Sequence, residues 1–149
     1  MKKSFFFDTS ALFKRYQVEK GTLKINKIFN ENNSQFIISS LTIIEIISNL
    51  KRLYEIDRLT TKAQFLLQRS QFYKDIHDYK ITVIDLSSED IITAEKLILE
   101  RYMKPIDAIQ LAIALNLPIA DIVFVCSDKG LCKTAETEGM QSLNPEDFL

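Results

Sequence analysis

Short unbroken apolar runs alternate along this chain with longer stretches whose apolar residues recur at helical spacing. The runs are "KSFFF" (3–7), "QFIIS" (35–39), "KITVID" (80–85) and "DIVFVCS" (121–127). Each is too short for a helix and rich in aromatic or β-branched residues, so each predicts a strand, the first of them buried on both faces. Between the runs, "TSALFKRYQ" and "GTLKINKIFNEN" predict helices, the second with Leu23, Ile25, Ile28 and Phe29 near helical spacing. "SLTIIEIISNLKRLYE" and "TTKAQFLLQRSQFYKDIH" predict two more, the latter with a stripe of Phe65, Leu66, Phe72 and Ile76. "SSEDIITAEKLILERY" opens with Ser87 and Asp90 at capping-box spacing. "KPIDAIQLAIALN" has Pro105 at a first helical turn and is apolar nearly all round, the pattern of a buried helix. A last helix, "KGLCKTAETEG", ends at Gly139, and "MQSLNPEDFL" gives a short strand and a tail. Strands alternating with helices imply a mostly parallel central sheet between two helical layers, a three-layer α/β/α sandwich in one domain over residues 1–149.

Composition changes this picture little. With 46% hydrophobic and 26% charged residues, the chain has ordinary globular proportions, and only 3 Gly and 3 Pro leave little room for long irregular loops. The net charge of −1 supplies no global basic field for unspecific nucleic-acid binding, so any such contact rests on local pairs such as Lys14-Arg15 and Lys51-Arg52. Cys126 and Cys132 are not spaced as a C-x-x-C pair, and the single histidine, His77, is far from them in sequence. A Cys/His zinc site is therefore not expected, and reduced thiols in a cytoplasmic protein are. The amino-terminal apolar run is three residues long and stops at Asp8, too short for a secretory leader. Residues 106–126 are long enough to span a bilayer but include Asp107, Pro118 and Asp121, which predicts a buried helix, a turn and a strand with no membrane association.

Four acids stand out by position. In parallel sheets, sites form at the carboxyl ends of strands. Asp8 ends the first strand and Asp128 follows "DIVFVCS", whereas Asp121 precedes its strand and falls on the opposite edge. Helix capping also explains Asp8, and turn chemistry in Asp-Lys-Gly also explains Asp128. Glu45 fits a capping box with Thr42, yet a helix starting near Ser39 or Ser40 places it in the second turn. It then belongs to a narrow polar stripe of Thr42, Glu45, Ser48, Asn49 and Arg52, facing either solvent or a polar cleft. Asp107 lies in a first helical turn, where the dipole favours an acid, but its neighbours Gln110, Leu111 and Ala114 solvate it poorly. Four carboxylates gathered at one sheet edge repel one another unless a cation sits among them. With no thiolate or imidazole nearby, the chemical match is a hard divalent ion, Mg²⁺ or Mn²⁺, which in phosphodiester hydrolysis activates water and neutralises charge on the phosphate oxygens. Thr9 and Ser10, beside Asp8, can hold a water or a phosphate oxygen.

With these residues in place, the chain resembles the PIN-domain nucleases and, within them, the VapC-like toxins of bacterial and archaeal toxin–antitoxin pairs. "FFFDTSALFKRY" resembles their first motif, "ISSLTIIEIISNL" the second, "KPIDAIQLAIAL" the third and "VFVCSDKGLCKTAETEGMQSLNPE" the fourth, in the family's order along nearly the whole chain. The resemblance implies that Asp8, Glu45, Asp107 and Asp128 are the metal-binding and catalytic acids of an Mg²⁺- or Mn²⁺-dependent endoribonuclease. It further implies a homodimer and a small antitoxin that covers the acidic site. Thr9, Ser10, Lys14, Arg15, Arg52 and Lys129 are then the expected substrate contacts, with Lys51 beside them. One position departs from the pattern: Cys126 stands two residues before the last acid, where the family often has Thr or Ser. Ser127 is the neighbouring hydroxyl, but strand alternation points it the other way.

Other readings are set against this one. An aspartyl-phosphate phosphohydrolase needs a second acid two residues after the nucleophile, and that position is Ser10. A phosphoacceptor domain built on Asp85 lacks an acidic pair after the first strand. A non-catalytic module that binds RNA or protein is the remaining alternative, and the presence of all four acids argues against it.

Overall fold

Phe5, Phe6 and Phe7 lie on one strand, where successive side chains leave on opposite faces, and this alternation divides the core in two. The computed structural model describes residues 2–147, so Phe148 and Leu149 of the expected tail lie outside the described residues. Five strands form a wholly parallel sheet: β1 (Lys3–Phe7), β2 (Ser34–Ser39), β3 (Thr82–Ile84), β4 (Ile122–Val125) and β5 (Gln141–Leu143). Their order is β3-β2-β1-β4-β5, with β1 at the centre. Parallel neighbours need crossovers, and the helices supply them: α1 (Thr9–Phe13), α2 (Thr22–Phe29), α3 (Ser40–Glu55), α4 (Lys62–Asp78), α5 (Ser88–Glu100), α6 (Pro105–Asn116) and α7 (Lys129–Thr137). A 3-10 turn, Pro145–Asp147, closes the described chain. The three-layer α/β/α architecture is thus the one the pattern implies.

On one face, Phe5 and Phe7 pack with Leu12, Ile25, Ile28, Phe29, Ile46, Leu50, Phe65 and Phe72 from α1 to α4. On the other, Phe6 stacks on Phe124, ring centroids 5.7 Å apart, over Ala94, Ala108, Leu111 and Leu131 from α5 to α7. Ala108, Ala112 and Ala114 of α6 are all buried against this face. Ser87 and Asp90 do form the reciprocal capping box at the start of α5. No helix among the described residues is long and apolar enough to cross a membrane.

Several local expectations are corrected. The helix expected over "TSALFKRYQ" ends at Phe13, because the backbone tightens there: Arg15 N–H donates to the Leu12 carbonyl and Tyr16 N–H to that of Phe13. Leu23 and Leu66 are exposed, since the buried faces of α2 and α4 are covered by their other apolar residues. The last strand before the α5 crossover is only three residues long, because β3 is an edge strand with one neighbour. Cys126 and Cys132 are paired through their sulfurs and are not free thiols; the first turn of α7 folds back against the end of β4 and brings the two together.

The tightened turn after α1 serves a lock between that segment and α4. Buried Asp75 accepts from Arg15 Nε at 2.6 Å, Arg15 Nη2 at 3.2 Å, the Tyr16 hydroxyl at 2.7 Å and Gln71 Nε2 at 3.0 Å. The Arg15 guanidinium lies over the rings of Phe29 and Tyr79, 4.2 Å and 5.3 Å from their centroids. Burial works against the charge on Arg15, but the bonds to Asp75 outweigh it and hold its pKa up. Removing one partner of such a pair strands the other charge. Asp75→Ala is expected to lose about 3–5 kcal/mol of stability in urea unfolding followed by circular dichroism; a loss under about 1 kcal/mol contradicts the lock.

Candidate active site

β1 leads on to β2 on one side, while β4 leads to β5 on the other, so the strand order reverses between β1 and β4. The crevice outside the carboxyl ends of such a pair is where open α/β sheets bind ligands. Asp8 follows β1 directly, and Asp128 opens α7 just beyond β4. The Asp8 N–H donates to the Val125 carbonyl at 2.9 Å, which fixes the first acid against the neighbouring strand.

Asp8 occupies the N-cap position of α1 in an extended conformation, yet its carboxylate makes no capping bond. Only its carbonyl serves the helix, accepting from the Ala11 and Leu12 N–H groups. The side chain is buried and accepts instead from the Ser10 hydroxyl, Oγ to Oδ2 2.8 Å. Burial is the main reason its pKa rises to about 6; the Ser10 bond opposes the rise, and the charges of Asp107 and Glu45 add to it.

A second group of polar atoms joins three segments. Ser39 holds the N-cap position of α3 without a side-chain bond, so Thr42 and Glu45 do not form a capping box and Glu45 sits in the second turn. Thr9 Oγ1 donates to Glu45 Oε1 at 2.7 Å and lies 3.0 Å from Thr42 Oγ1. From α6, Gln110 Nε2 donates to Thr42 Oγ1 at 2.8 Å and reaches Glu45 Oε1 and Thr9 Oγ1 at 3.4 Å. The polar stripe of α3 therefore starts inside the protein at buried Thr42 and half-buried Glu45, and ends in solvent at Ser48, Asn49 and Arg52.

Asp107, half-buried in the first turn of α6, has its pKa raised by burial and then by the charge of Asp128, with Lys104 opposing and Glu45 adding. Asp128 is exposed and caps α7, its Oδ1 accepting from Leu131 N–H at 3.0 Å. Asp107 and Asp128 border a cavity of about 230 Å³ whose rim also carries Arg101, Tyr102 and Lys104. At the departing position, Cys126 is in the core, and it is the Ser127 backbone that joins the site, its N–H donating to Ser10 Oγ at 3.4 Å.

The structure thus brings Asp8, Thr9, Ser10, Glu45, Asp107 and Asp128 to one edge. It does not bring all the expected cations there. Lys14 is buried between Glu19 and Glu146, at 3.0 and 2.9 Å, and Arg15 is held by Asp75. Both charges are engaged inside the fold, because α1 carries its chain away from the edge as soon as Asp8 has been placed. Lys129 and Arg52 are exposed, Arg52 with Asp57 3.8 Å away, and Lys51 is 3.6 Å from Glu55. In the sequence Gln110 stands only as a neighbour of Asp107. Its signal was a lone amide in an otherwise apolar helix. Arg101, Tyr102 and Lys104 were missed as well, although they form a polar segment directly before the helix that carries Asp107.

The donor set suits a hard divalent cation: carboxylates and hydroxyls, with no imidazole at the edge. Gln110 Oε1, on the amide that reaches Thr42 and Glu45, is buried without a partner. Among the described residues, however, no three acidic, histidine or cysteine side chains form a ready metal cage. Mg²⁺ is compatible with that arrangement, since it keeps several waters and is usually held by one or two carboxylates together with substrate phosphates.

Parallel order, a central β1 and acids at the reversal point define a doubly wound α/β domain with an acidic crevice. The PIN domain family matches residues 5–137, and the chain belongs to that family. PIN domains are generally nucleases. Among solved structures, the chain is similar to one from a toxin–antitoxin complex of Klebsiella pneumoniae, with 16% identity, 94% of this chain and 96% of that one covered, and a TM-score of 0.61. It is similar to a chain of DNA-bound VapBC from Salmonella typhimurium, with 18% identity, 97% and 99% covered, and a TM-score of 0.60. A chain of FitAB bound to an IR36 DNA fragment matches at 12% identity over 95% of each chain, with a TM-score of 0.67. At these identities the likeness is one of fold. No curated protein matches the chain.

The Asp8 pKa has a thermodynamic consequence. Because the folded value, about 6, exceeds the ordinary 3.8, the contribution of Asp8 to stability is fully present below pH 3.8 and is lost as pH rises through 6. Near neutral pH the ionised group then costs roughly 2–3 kcal/mol. Asp8→Asn in EDTA is expected to raise the melting temperature by several degrees at pH 7.5 and to change it little at pH 4. An unchanged or lower melting temperature at pH 7.5 contradicts the burial of a charged Asp8.

Proposed function

We propose that this protein is a divalent-metal-dependent endoribonuclease and the toxin of a toxin–antitoxin pair, acting in the cytoplasm. One observation carries the reading: acids from four separate segments meet at the reversal point of the sheet, near enough for Asp107 and Glu45 to raise the pKa of Asp8 and for Asp128 and Glu45 to raise that of Asp107. An acidic crevice of this kind disfavours a phosphodiester until positive charge is added. Asp8, Glu45, Asp107 and Asp128 are the residues that would hold Mg²⁺ or Mn²⁺, which when bound activates water and neutralises charge on the phosphate oxygens.

The protein's own part is positioning. Ser10 orients the Asp8 carboxylate, Thr9 orients that of Glu45, and Gln110 holds the Thr42 hydroxyl so that the Thr9 bond keeps its direction. The toxin reading is supported by family membership and by the fold shared with chains of toxin–antitoxin complexes. A small antitoxin is its expected partner, and the exposed apolar residues Ile91 and Leu99, with partly buried Ile109, along the α5–α6 groove fit a contact with a second copy. A non-catalytic RNA- or protein-binding module is the second reading; the lack of a ready metal cage among the described residues favours it.

Purified protein incubated with structured RNA and MnCl₂ is expected to cut, and to stop cutting in EDTA. Asp8→Asn should reduce cleavage to background and weaken Mn²⁺ binding measured by calorimetry, since an amide offers a neutral oxygen in place of a full charge. An undiminished rate in Asp8→Asn overturns the metal-site reading. Mn²⁺ binding with no cleavage of any RNA favours the binding module.

A further inference from the structure

Between α5 and α6 the chain runs through "RYMK" (101–104), with the Arg101 backbone fully extended. This segment walls the cavity of about 230 Å³ that Asp107 and Asp128 border on its other side. Its residues divide by burial. Met103 is buried in the core, and Tyr102 is 83% exposed, with no aromatic partner among the described residues. Arg101 is anchored across the cavity to α7, its Nη1 donating to Thr134 Oγ1 at 3.3 Å, and enters no ion pair among the described residues. Lys104 stands at the N-cap position of α6, close enough to Asp107 to offset part of the repulsion from the other acids.

A tyrosine ring left in water between two cations, beside acids that repel phosphate, is poorly explained by packing. It is well explained by a ligand with a flat apolar face and a negatively charged backbone. Unpaired nucleotides have both, and base-on-aromatic stacking beside a basic groove is how single strands are held without regard to sequence. A base inside a duplex has no free face to offer.

We propose that residues 101–104 form a nucleotide subsite. Tyr102 stacks on a base of a single-stranded nucleic acid, and Arg101 and Lys104 take the flanking phosphates, setting the strand against Asp107 and Asp128. This rests on the nuclease reading above and adds to it the residues that hold a base and its phosphates beside the acids.

The test measures binding, in an Asp8→Asn background and by fluorescence anisotropy, to a short single-stranded RNA, the same sequence as single-stranded DNA, and the duplex. Tyr102→Ala is expected to weaken binding to the single strands on the order of tenfold, while Tyr102→Phe, which keeps the ring, stays near the parent. Arg101→Ala and Lys104→Ala should each lower the slope of log affinity against log salt by about 1. Comparison of the RNA and DNA arms identifies the sugar that the subsite accepts. Unchanged affinity in Tyr102→Ala overturns the proposal, as does a parent that binds no single strand or prefers the duplex. A shift of Tyr102→Ala from dimer to monomer on gel filtration, with RNA affinity intact, also overturns it and assigns the ring to a contact between copies. The nuclease reading is judged separately by Mn²⁺-dependent cleavage in the protein with Asp8 intact: cleavage that persists at full rate in Tyr102→Ala removes the subsite and leaves the nuclease standing.

Discussion

A buried carboxylate that pairs with no Lys or Arg among the described residues is the constraint on which the rest of this structure depends. Asp8 sits at the end of the central strand, inside the protein, with Glu45 and Asp107 near enough to make its ionisation harder. Burial in a medium of low polarisability disfavours the charged form, and like charges disfavour it further. The fold tolerates this by giving Asp8 one hydroxyl donor, Ser10, and by pinning its backbone to β4. Among the described residues it sets no Lys or Arg against that charge. A group kept in that state is poised to gain from any cation that enters.

The contrast with Asp75 makes the point. Both carboxylates are buried, but Asp75 has a guanidinium, a phenol and an amide arranged around it. Asp75 is a structural acid whose charge is neutralised within the fold, and it holds α4 against the segment that follows Asp8. The first cations after Asp8 in sequence, Lys14 and Arg15, are directed to that lock and to the pair of glutamates around Lys14. Gly21 belongs to the same arrangement: at φ 95° it adopts a backbone conformation that side chains avoid, and a Cβ there would come within 3.0 Å of the Lys14 side chain. Local positive charge is thus withdrawn from the crevice, and the cations at its rim come from elsewhere, on the segment before α6 and at the start of α7.

The hydroxyl and amide groups around the acids divide the work. Thr9, Thr42 and Gln110 link three segments that are distant in sequence, so the direction of Glu45 depends on the packing of α1, α3 and α6 together. Asp128, by contrast, is oriented locally by the first turn of the helix it caps. The Glu45 carboxylate is therefore fixed by tertiary structure, and that of Asp128 by its own helix. The bland explanations weighed for each acid fare accordingly. Asp128, expected as a turn residue, caps a helix instead, while the carboxylate of Asp8, expected as a cap, takes no part in capping at all.

The sequence by itself determined the layered α/β fold, because strand and helix periodicities are local and the alternation of Phe5, Phe6 and Phe7 already assigns faces to the central strand. It also placed Asp8, Asp107 and Asp128 near strand or helix ends, since the runs and turn residues that mark those ends are local as well. Which charges are free to meet a ligand was not legible. Lys14 and Arg15 look like surface cations beside the first motif, and only the return of Asp75 and Glu146, distant along the chain, removes them. Gln110 looks like an exception on an apolar helix, and only the approach of Thr9 and Thr42 gives it a purpose. The physical reason is the same in each case: periodicity is set by neighbours a few residues away, whereas solvation of a charge and the partners of a buried polar group are set by whatever the fold brings against them.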